Sequence, residues 1–386
     1  MSAFPTIIAM GAALLAVAGI GYLLVAARLA ARLADRCLAT PPSVNPVAIT
    51  LLKPLHGGEP NLAGNLATFI DQGWPADVQL VAGVADAGDP AIAAISALQS
   101  QHPDAVIDLV VDPTRHGSNA KIGNIVNLMT AARHELLVLS DSDIAAPPGY
   151  FTRIVAALAA PGVGAVTCLY RGRGDAGFWS VLAAANISYQ FLPSVLVSLS
   201  LDAGGACMGS TIALRRETLD RIGGFRRFAN ILADDHAVGE AVRTLGLSVQ
   251  VPAMIVTHGC AEASFAALVR QELRWGATVR DLRPMGYLGS VITMPLPFAL
   301  LALALLPGTG TATLMIAAIA ARLLLATQID RAASAKSAPY ALLPLRELLS
   351  FGIFAASFLV RDIDWRGQKL RMLDAGLIAN EQETGA

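Results

Sequence analysis

The stretch Leu136-Leu137-Val138-Leu139-Ser140-Asp141-Ser142-Asp143 decides how this chain is read. Four consecutive apolar residues make a strand covered on both faces, because a half-exposed strand would alternate apolar with polar positions. Two carboxylates, two residues apart, end it. In open sheets whose strands alternate with helices, ligands bind beyond the carboxyl ends of the strands. The D-x-D therefore marks the rim of a binding crevice. Taken alone, the same residues fit an Asx-rich turn equally well.

Working outward, Val47-Ala48-Ile49-Thr50-Leu51-Leu52 is a second buried strand, ending at Lys53-Pro54. A helix is expected from about Leu62 to Gln72, where Leu62, Leu66, Phe69 and Ile70 share one face. Val78 to Val84 reads as a strand, Ala91 to Gln101 as a helix, and Ile107 to Val111 as a further strand. Strands alternating with helices predict an α/β domain, a Rossmann-like and mostly parallel sheet with helices on both faces, over residues 45–283. Asp86 and Asp141 each follow a strand, so both should face one crevice.

The ends of the chain have another character. Of the 386 residues 54% are hydrophobic and 15% charged, too apolar for an ordinary soluble enzyme. Residues 1–27 carry no charged side chain, and Arg28, Arg32 and Arg36 follow. A span needs roughly 20 apolar residues, and positive charge after the run predicts a retained anchor, residues 1–28, with its C-terminal end in the cytoplasm. The uncharged stretch Pro284 to Ala321, broken at Pro307-Gly308-Thr309-Gly310, predicts a transmembrane hairpin over 284–327 that leaves the cytoplasm and returns. Residues 339–361 contain Pro344, Arg346 and Glu347, which suggests a re-entrant or third membrane segment before a cytoplasmic tail, 362–386. The uncharged stretch Ala176 to Leu201 is expected to be an interfacial helix or a buried wall. One crossing there would put Asp141 and Asp235 on opposite sides of the bilayer. Net charge is −1 without a basic tract, so no nucleic-acid partner is expected, and no obligate protein partner is inferred. The four cysteines lack metal or redox spacing and read as free thiols.

Five groups carry chemistry. Asp141 and Asp143 could hold a divalent cation, Mg²⁺ or Mn²⁺, that takes its remaining ligands from phosphate and water. Asp86 and Asp89, in Gly83-Val84-Ala85-Asp86-Ala87-Gly88-Asp89-Pro90, could bind a base or ribose. Asp89 before Pro90 also looks like a helix start, so Asp86 is the functional candidate and Asp89 the structural one. Lys121, in His116-Gly117-Ser118-Asn119-Ala120-Lys121, suits a diphosphate. Asp234 and Asp235 precede a helical run, and one could cap it while the other works: Asp235 is the candidate general base and Asp234 a candidate substrate contact. In Gln271-Glu272-Leu273-Arg274-Trp275, i, i+3 spacing puts Gln271 and Arg274 on one helix face. Arg274 suits a diphosphate and Trp275 a sugar or lipid. His56, His236 and His258 show no metal-ligand spacing.

In this order the motifs resemble the membrane-bound GT-A glycosyltransferases of the family 2 clan, and within it the ceramide glucosyltransferases of family 21. The resemblance runs from Leu52-Lys53-Pro54-Leu55-His56-Gly57 through Gly209-Ser210-Thr211-Ile212-Ala213-Leu214-Arg215 and Ile222-Gly223-Gly224-Phe225 to Asp364-Trp365-Arg366-Gly367. Val166-Thr167-Cys168-Leu169-Tyr170-Arg171-Gly172 and Glu272-Leu273-Arg274-Trp275 resemble the bacterial hopanoid-biosynthesis branch. The resemblance implies a GT-A-like fold with N- and C-terminal transmembrane helices in a bacterial inner membrane. It also implies inverting transfer of a hexose or N-acetylhexosamine from a UDP-sugar to a lipid hydroxyl. A hopanoid polyol is the implied acceptor, a ceramide the alternative; a processive synthase or a silent sugar-nucleotide sensor fits less well. Implied roles are nucleotide contact for Asp86 and Asp141, metal for Asp141 and Asp143, catalytic base for Asp235, and donor-site contacts for Gln271, Arg274 and Trp275. Asp234-Asp235-His236 departs from the more familiar acidic-acidic-tyrosine form.

Overall fold

The computed structural model describes residues 3–201 and 207–359, with strands at 362–365, 368–372 and 378–380. Of the expected tail 362–386, only those strand residues are described. The chain forms two compact units, one within 39–170 and 207–261, the other within 3–38, 171–201 and 262–359.

Strands of the first unit are β1 (Ile49–Pro54), β2 (Val78–Val84), β3 (Val106–Val111), β4 (Leu136–Leu139), β5 (Ile144–Ala145) and β6 (Val163–Thr167). After β7 (Leu169–Gly174), which leads out of the unit, come β8 (Ile212–Arg215), β9 (Ser248–Gln250) and β10 (Ile255–Cys260). Seven of them make one sheet in the order β3-β2-β1-β4-β8-β6-β9. The pairs β2–β3, β1–β2, β1–β4 and β6–β9 are parallel, whereas β8 runs antiparallel to both β4 and β6. The sheet is thus mixed but mostly parallel.

Side-chain alternation explains why these strands are apolar throughout. Ile49, Leu51, Leu80 and Val138 point into a core with Leu66, Phe69, Ile95 and Phe151. Leu52, Val81, Leu137 and Leu139 point the other way, against Ile122, Ile125 and Phe225. Both faces are covered, so both phases of the period-two pattern must be apolar. The helices at Leu62–Ile70 and Ala91–Gln101 fall where their periodicity predicts, the first two residues shorter at its end. Chain order reverses across β1, with β2 on one side and β4 on the other. That is a topological switch point, where α/β sheets open a crevice.

The second unit is helical. Its N-terminal helix, Ala3–Leu38, runs through Arg28, Arg32 and Arg36 and so extends beyond the expected anchor. At about 1.5 Å per residue it spans about 54 Å, against about 30 Å of hydrocarbon. Four described helices are long and apolar enough to cross a membrane: Phe4–Leu38, Phe178–Ser200, Thr309–Ala333 and Tyr340–Ser357. Phe178–Ser200 carries a π-helical turn at Ile187–Phe191 and is 61% buried over its apolar window, against 28–33% for the other three.

Two segments show detail the sequence did not give. The first arm of the hairpin is bent: Pro284–Thr293 and Pro295–Leu305 meet at 59°. Pro295 and Pro297 open the second piece, whose 11 residues are short of a crossing. The second arm continues to Ala333, past the expected end at 327. In the segment 339–361, Arg346 and Glu347, which interrupt the apolar run, are 3% exposed each. Their presence is explained by buried partners.

Small residues set the helix contacts. Ala16, Ala299 and Ala318 form one buried cluster. A β-carbon on Gly19 would stand 2.6 Å from the Ile292 carbonyl oxygen and 2.9 Å from Pro295 Cβ. The obstacle is backbone, which cannot swing aside, and close helix approach in membranes depends on such positions. Gly19→Leu is therefore expected to destabilise this unit by ~1–3 kcal/mol, read as a lower thermal midpoint in detergent. An unchanged midpoint would refute the close contact.

Candidate active site

The D-x-D loop is pinned from both sides. Lys53, at the end of β1, is fully buried and donates to Ser140 Oγ at 3.0 Å and to the Asp141 carbonyl at 2.9 Å. Its ammonium also lies 3.7 Å from the Phe69 ring centroid. Burial lowers its pKa to about 7, although Asp141 and Asp143 favour the charged form. Beyond the loop, β5 pairs antiparallel with β10 through Ile144 and His258, and Gly259 N donates to the Asp143 carbonyl at 2.8 Å. His258 Nδ1 stands 3.3 Å from Asp143 Oδ1. Burial by itself would raise the Asp143 carboxyl, but the neighbouring His258 ring outweighs it and the pKa is lowered.

Lys121 joins this loop to the later acidic pair. Asn119 caps the helix Ala120–Leu128 by accepting from Ile122 N, while its own amide donates to the Ile231 carbonyl and to Asp234 Oδ1. Gly117 permits that docking, since a β-carbon there would lie 2.5 Å from the Ala229 carbonyl oxygen. Lys121 Nζ then reaches Asp141 Oδ1 at 2.7 Å and Asp234 Oδ2 at 3.5 Å. Its side chain is only 18% exposed, unlike an ordinary surface lysine. Burial works against the ammonium, yet Asp141 and Asp234 prevail and its pKa rises. Asp141 is raised by burial, with Lys121 partly offsetting that.

Asp234 and Asp235 occupy the first turn of the helix Asp234–Thr244, where negative charge is favoured. Neither is the N-cap, as the sequence suggested: Ala233 holds that position without a side-chain bond. Asp235 Oδ1 instead accepts from His236 N at 2.7 Å and Oδ2 from Gly209 N at 2.8 Å. Burial, reinforced by the Asp234 carboxylate, pushes Asp235 up to about 6. Gly209 is the hub. A β-carbon placed on it would lie 3.1 Å from Asp141 Oδ2, 3.5 Å from Lys121 Nζ and 3.6 Å from Asp235 Oδ2. Residues 121, 141 and 235 thus surround a point that only a glycine leaves open.

The other candidates lie elsewhere. Asp86 is exposed after β2 and accepts from Gly88 N at 2.8 Å, as a turn residue does. Asp89 is buried and accepts from Gly57 N and Ala91 N, which ties the loop after β1 to the next helix. Gln271, Arg274 and Trp275 belong to the helical unit, half-buried on the helix Phe265–Leu282. Arg274 donates to Gln271 Oε1 at 3.1 Å, the i, i+3 contact their spacing implies.

Lys53, Gly209 and His258 were missed as site residues, and so was Tyr170. The Tyr170 ring centroid is 5.8 Å from that of His258, and burial with Asp235 raises the phenol. Only Lys53 left a signal, a cation ending an otherwise apolar strand.

Among the described residues no three His, Cys, Asp or Glu side chains are grouped as a metal cage. A cation that draws most of its ligands from phosphate and water needs few carboxylates. Asp143 Oδ1 is a buried oxygen with the His258 ring 3.3 Å away, and its remaining lone pairs fit a ligand of that kind beside Asp141.

Glycosyl transferase family 21 matches residues 11–378. A Caenorhabditis elegans protein named ceramide glucosyltransferase 1 is 24% identical over 226 residues, 57% of this chain and 46% of its own length. A Komagataella phaffii ceramide glucosyltransferase is 26% identical over 127 residues, 32% of this chain and 24% of its own length. The chain spans about half the length or less of these curated relatives. Among solved structures, a mannosyltransferase from Pyrobaculum calidifontis in complex with GDP-Man and Mn²⁺ superposes with a TM-score of 0.52 at 21% identity. The match covers 90% of this chain and 99% of that one, and it establishes a GT-A-like fold.

Proposed function

We propose the following from the fact that this chain belongs to glycosyl transferase family 21: it moves a hexose or N-acetylhexosamine, with inversion, from a UDP-sugar to the hydroxyl of a membrane lipid. The observation that carries this reading is the meeting of Asp141, Lys121 and Asp235 around Gly209, beyond the carboxyl end of β4. Asp235 takes the proton of the acceptor hydroxyl. The freed oxygen attacks the anomeric carbon, and the bond to the β-phosphate oxygen breaks with its electron pair on UDP. Lys121, already among carboxylates, is placed to exchange Asp141 for a phosphate oxygen. Asp141 and Asp143 would hold a divalent cation, Mg²⁺ or Mn²⁺, and such a cation would neutralise charge on the departing diphosphate. Asp86 serves the nucleoside. Arg274 answers the diphosphate charge, and Trp275 presents a flat face to sugar or lipid.

Cationic ends support an orientation with the catalytic unit in the cytoplasm, at a bacterial inner membrane. Arg331 of the helix Thr309–Ala333 pairs with Asp35 of the N-terminal helix at 2.6 Å. That brings together two ends which the charge rule assigns to the same side. As acceptor we favour a hopanoid polyol, on the residues that resemble that branch. A ceramide is the second reading, favoured by the names of the curated relatives. Lipid mass spectrometry of cells with and without the gene tests both. A gene-dependent glycosylated hopanoid is expected; a glycosylceramide would correct the acceptor, and a polymer or an unchanged lipid profile would refute the reading.

A further inference from the structure

The helix Phe265–Leu282 carries Gln271, Arg274 and Trp275, yet the residue between them, Glu272, points elsewhere. It is 7% exposed, and both its oxygens are taken by Arg346, at 3.0 and 2.7 Å, in a bidentate pair. Arg346 also donates to Ser350 Oγ, which in turn donates to Asn186 Oδ1 at 3.2 Å. The next residue, Glu347, faces another way. It accepts from Arg322 Nε at 2.8 Å and from Leu296 N at 2.7 Å, and Arg322 donates further to the Tyr189 and Thr293 carbonyls. The dipeptide Arg346-Glu347 on the helix Leu343–Ser357 thus makes two buried ion pairs, one to the helix of Gln271 and one to the hairpin arm Thr309–Ala333.

Stability alone does not account for this. A buried pair of opposite charges is often no better than apolar side chains of similar volume, and in places worse. Charged groups at such depth are costly and are kept where they do a task. What a bidentate guanidinium–carboxylate pair adds over apolar packing is a defined angle and register.

We infer that Arg346 is a positioning residue for the transfer reaction: through Glu272 it sets the rotation and height of the helix that carries Gln271, Arg274 and Trp275. Glu347 and Arg322 hold Arg346's own helix against the membrane hairpin, so the platform does not turn. The inference rests on the proposed transferase reading, and its structural half can be read without any substrate.

The test uses the full chain in lipid nanodiscs, with Glu272→Met and Arg346→Leu introduced together. Nitroxide labels go at Val279 and Leu348, exposed positions on the two helices. The unsubstituted pair should give a narrow distribution of label distances, and the apolar pair a broad one at an unchanged unfolding temperature. With donor and lipid, kcat should fall about tenfold while the donor KM stays within about twofold, the signature of an interaction made only in the transition state. Arg346→Lys, which keeps the charge but not the fork, should restore part of both. An unchanged distance distribution or unchanged kcat in the apolar pair would overturn the inference. So would a joint collapse of unfolding temperature and UDP binding, which would make the pair a structural brace. If the apolar pair does not fold, Arg346→Lys decides: wild-type distances and kcat would overturn the inference, broadened distances and lowered kcat would support it. Absence of transfer by the wild type, with label distances as expected, would refute the transferase reading alone.

Discussion

Asp235→Asn is expected to abolish all but a small residue of transfer, a fall of about 10²–10⁴-fold in kcat, the usual contribution of a positioned general base. The amide oxygen can still accept from the Gly209 N–H, though the bond from His236 N is lost, so UDP binding should survive. Such a loss of kcat without loss of donor affinity separates a base from a ligand-holding residue. The pH profile gives the same result from the other side. Burial and Asp234 raise Asp235 to about 6, so below that pH it holds a proton and cannot accept one from the acceptor. Accordingly kcat/KM of the wild type should rise with pH through about 6 and then level, and the residual activity of the variant should lack that limb. Steady-state assays on purified protein read both. Full turnover in the variant would remove Asp235 from the mechanism.

The second large effect is expected at Asp143. Asp143→Ala deletes the buried Oδ1 and leaves His258 without the carboxylate at 3.3 Å. The ordinary carboxyl at this position is held ionised, its pKa lowered by the His258 ring despite burial. That shift favours the anionic form a cation ligand needs. Loss of the residue should cost about 10²–10³-fold in kcat/KM, the scale found for removing one electrostatic stabiliser of a developing charge. It should also raise the Mn²⁺ concentration needed for half-maximal activity, and chelation should silence the wild type. Metal titrations of donor turnover measure this. A variant with wild-type metal response would show that the cation, if used, is held elsewhere.

Much of the catalytic fold was legible because its signals are local. Strands β1, β2 and β4 are unbroken apolar runs, as double burial requires, and β4 displays its carboxylates immediately after it ends. The reversed strand β8 was not legible: Ile212–Arg215 reads the same in either direction, and only its neighbours β4 and β6 assign one. Among site residues, the types that bear charge could be named from spacing. Gly209 could not be, since its use is the absence of a side chain where three charged groups meet. The reading of Asp234 or Asp235 as a helix cap failed for a related reason. Capping is local and easy to write down, but Gly209 N and Asn119, distant along the chain, took the carboxylates first.

By itself, the order of residues determined where the apolar spans and strands lie, which acids end a strand, and which family the chain resembles. Each of these depends on neighbours a few positions apart. Tertiary structure alone decided that Lys121 bridges Asp141 and Asp234, that Lys53 holds the Asp141 loop, and that Arg346 and Glu347 are buried against charged partners. The cost of burying a charge depends on whether a partner arrives, and for Arg346 that partner, Glu272, lies 74 positions away along the chain.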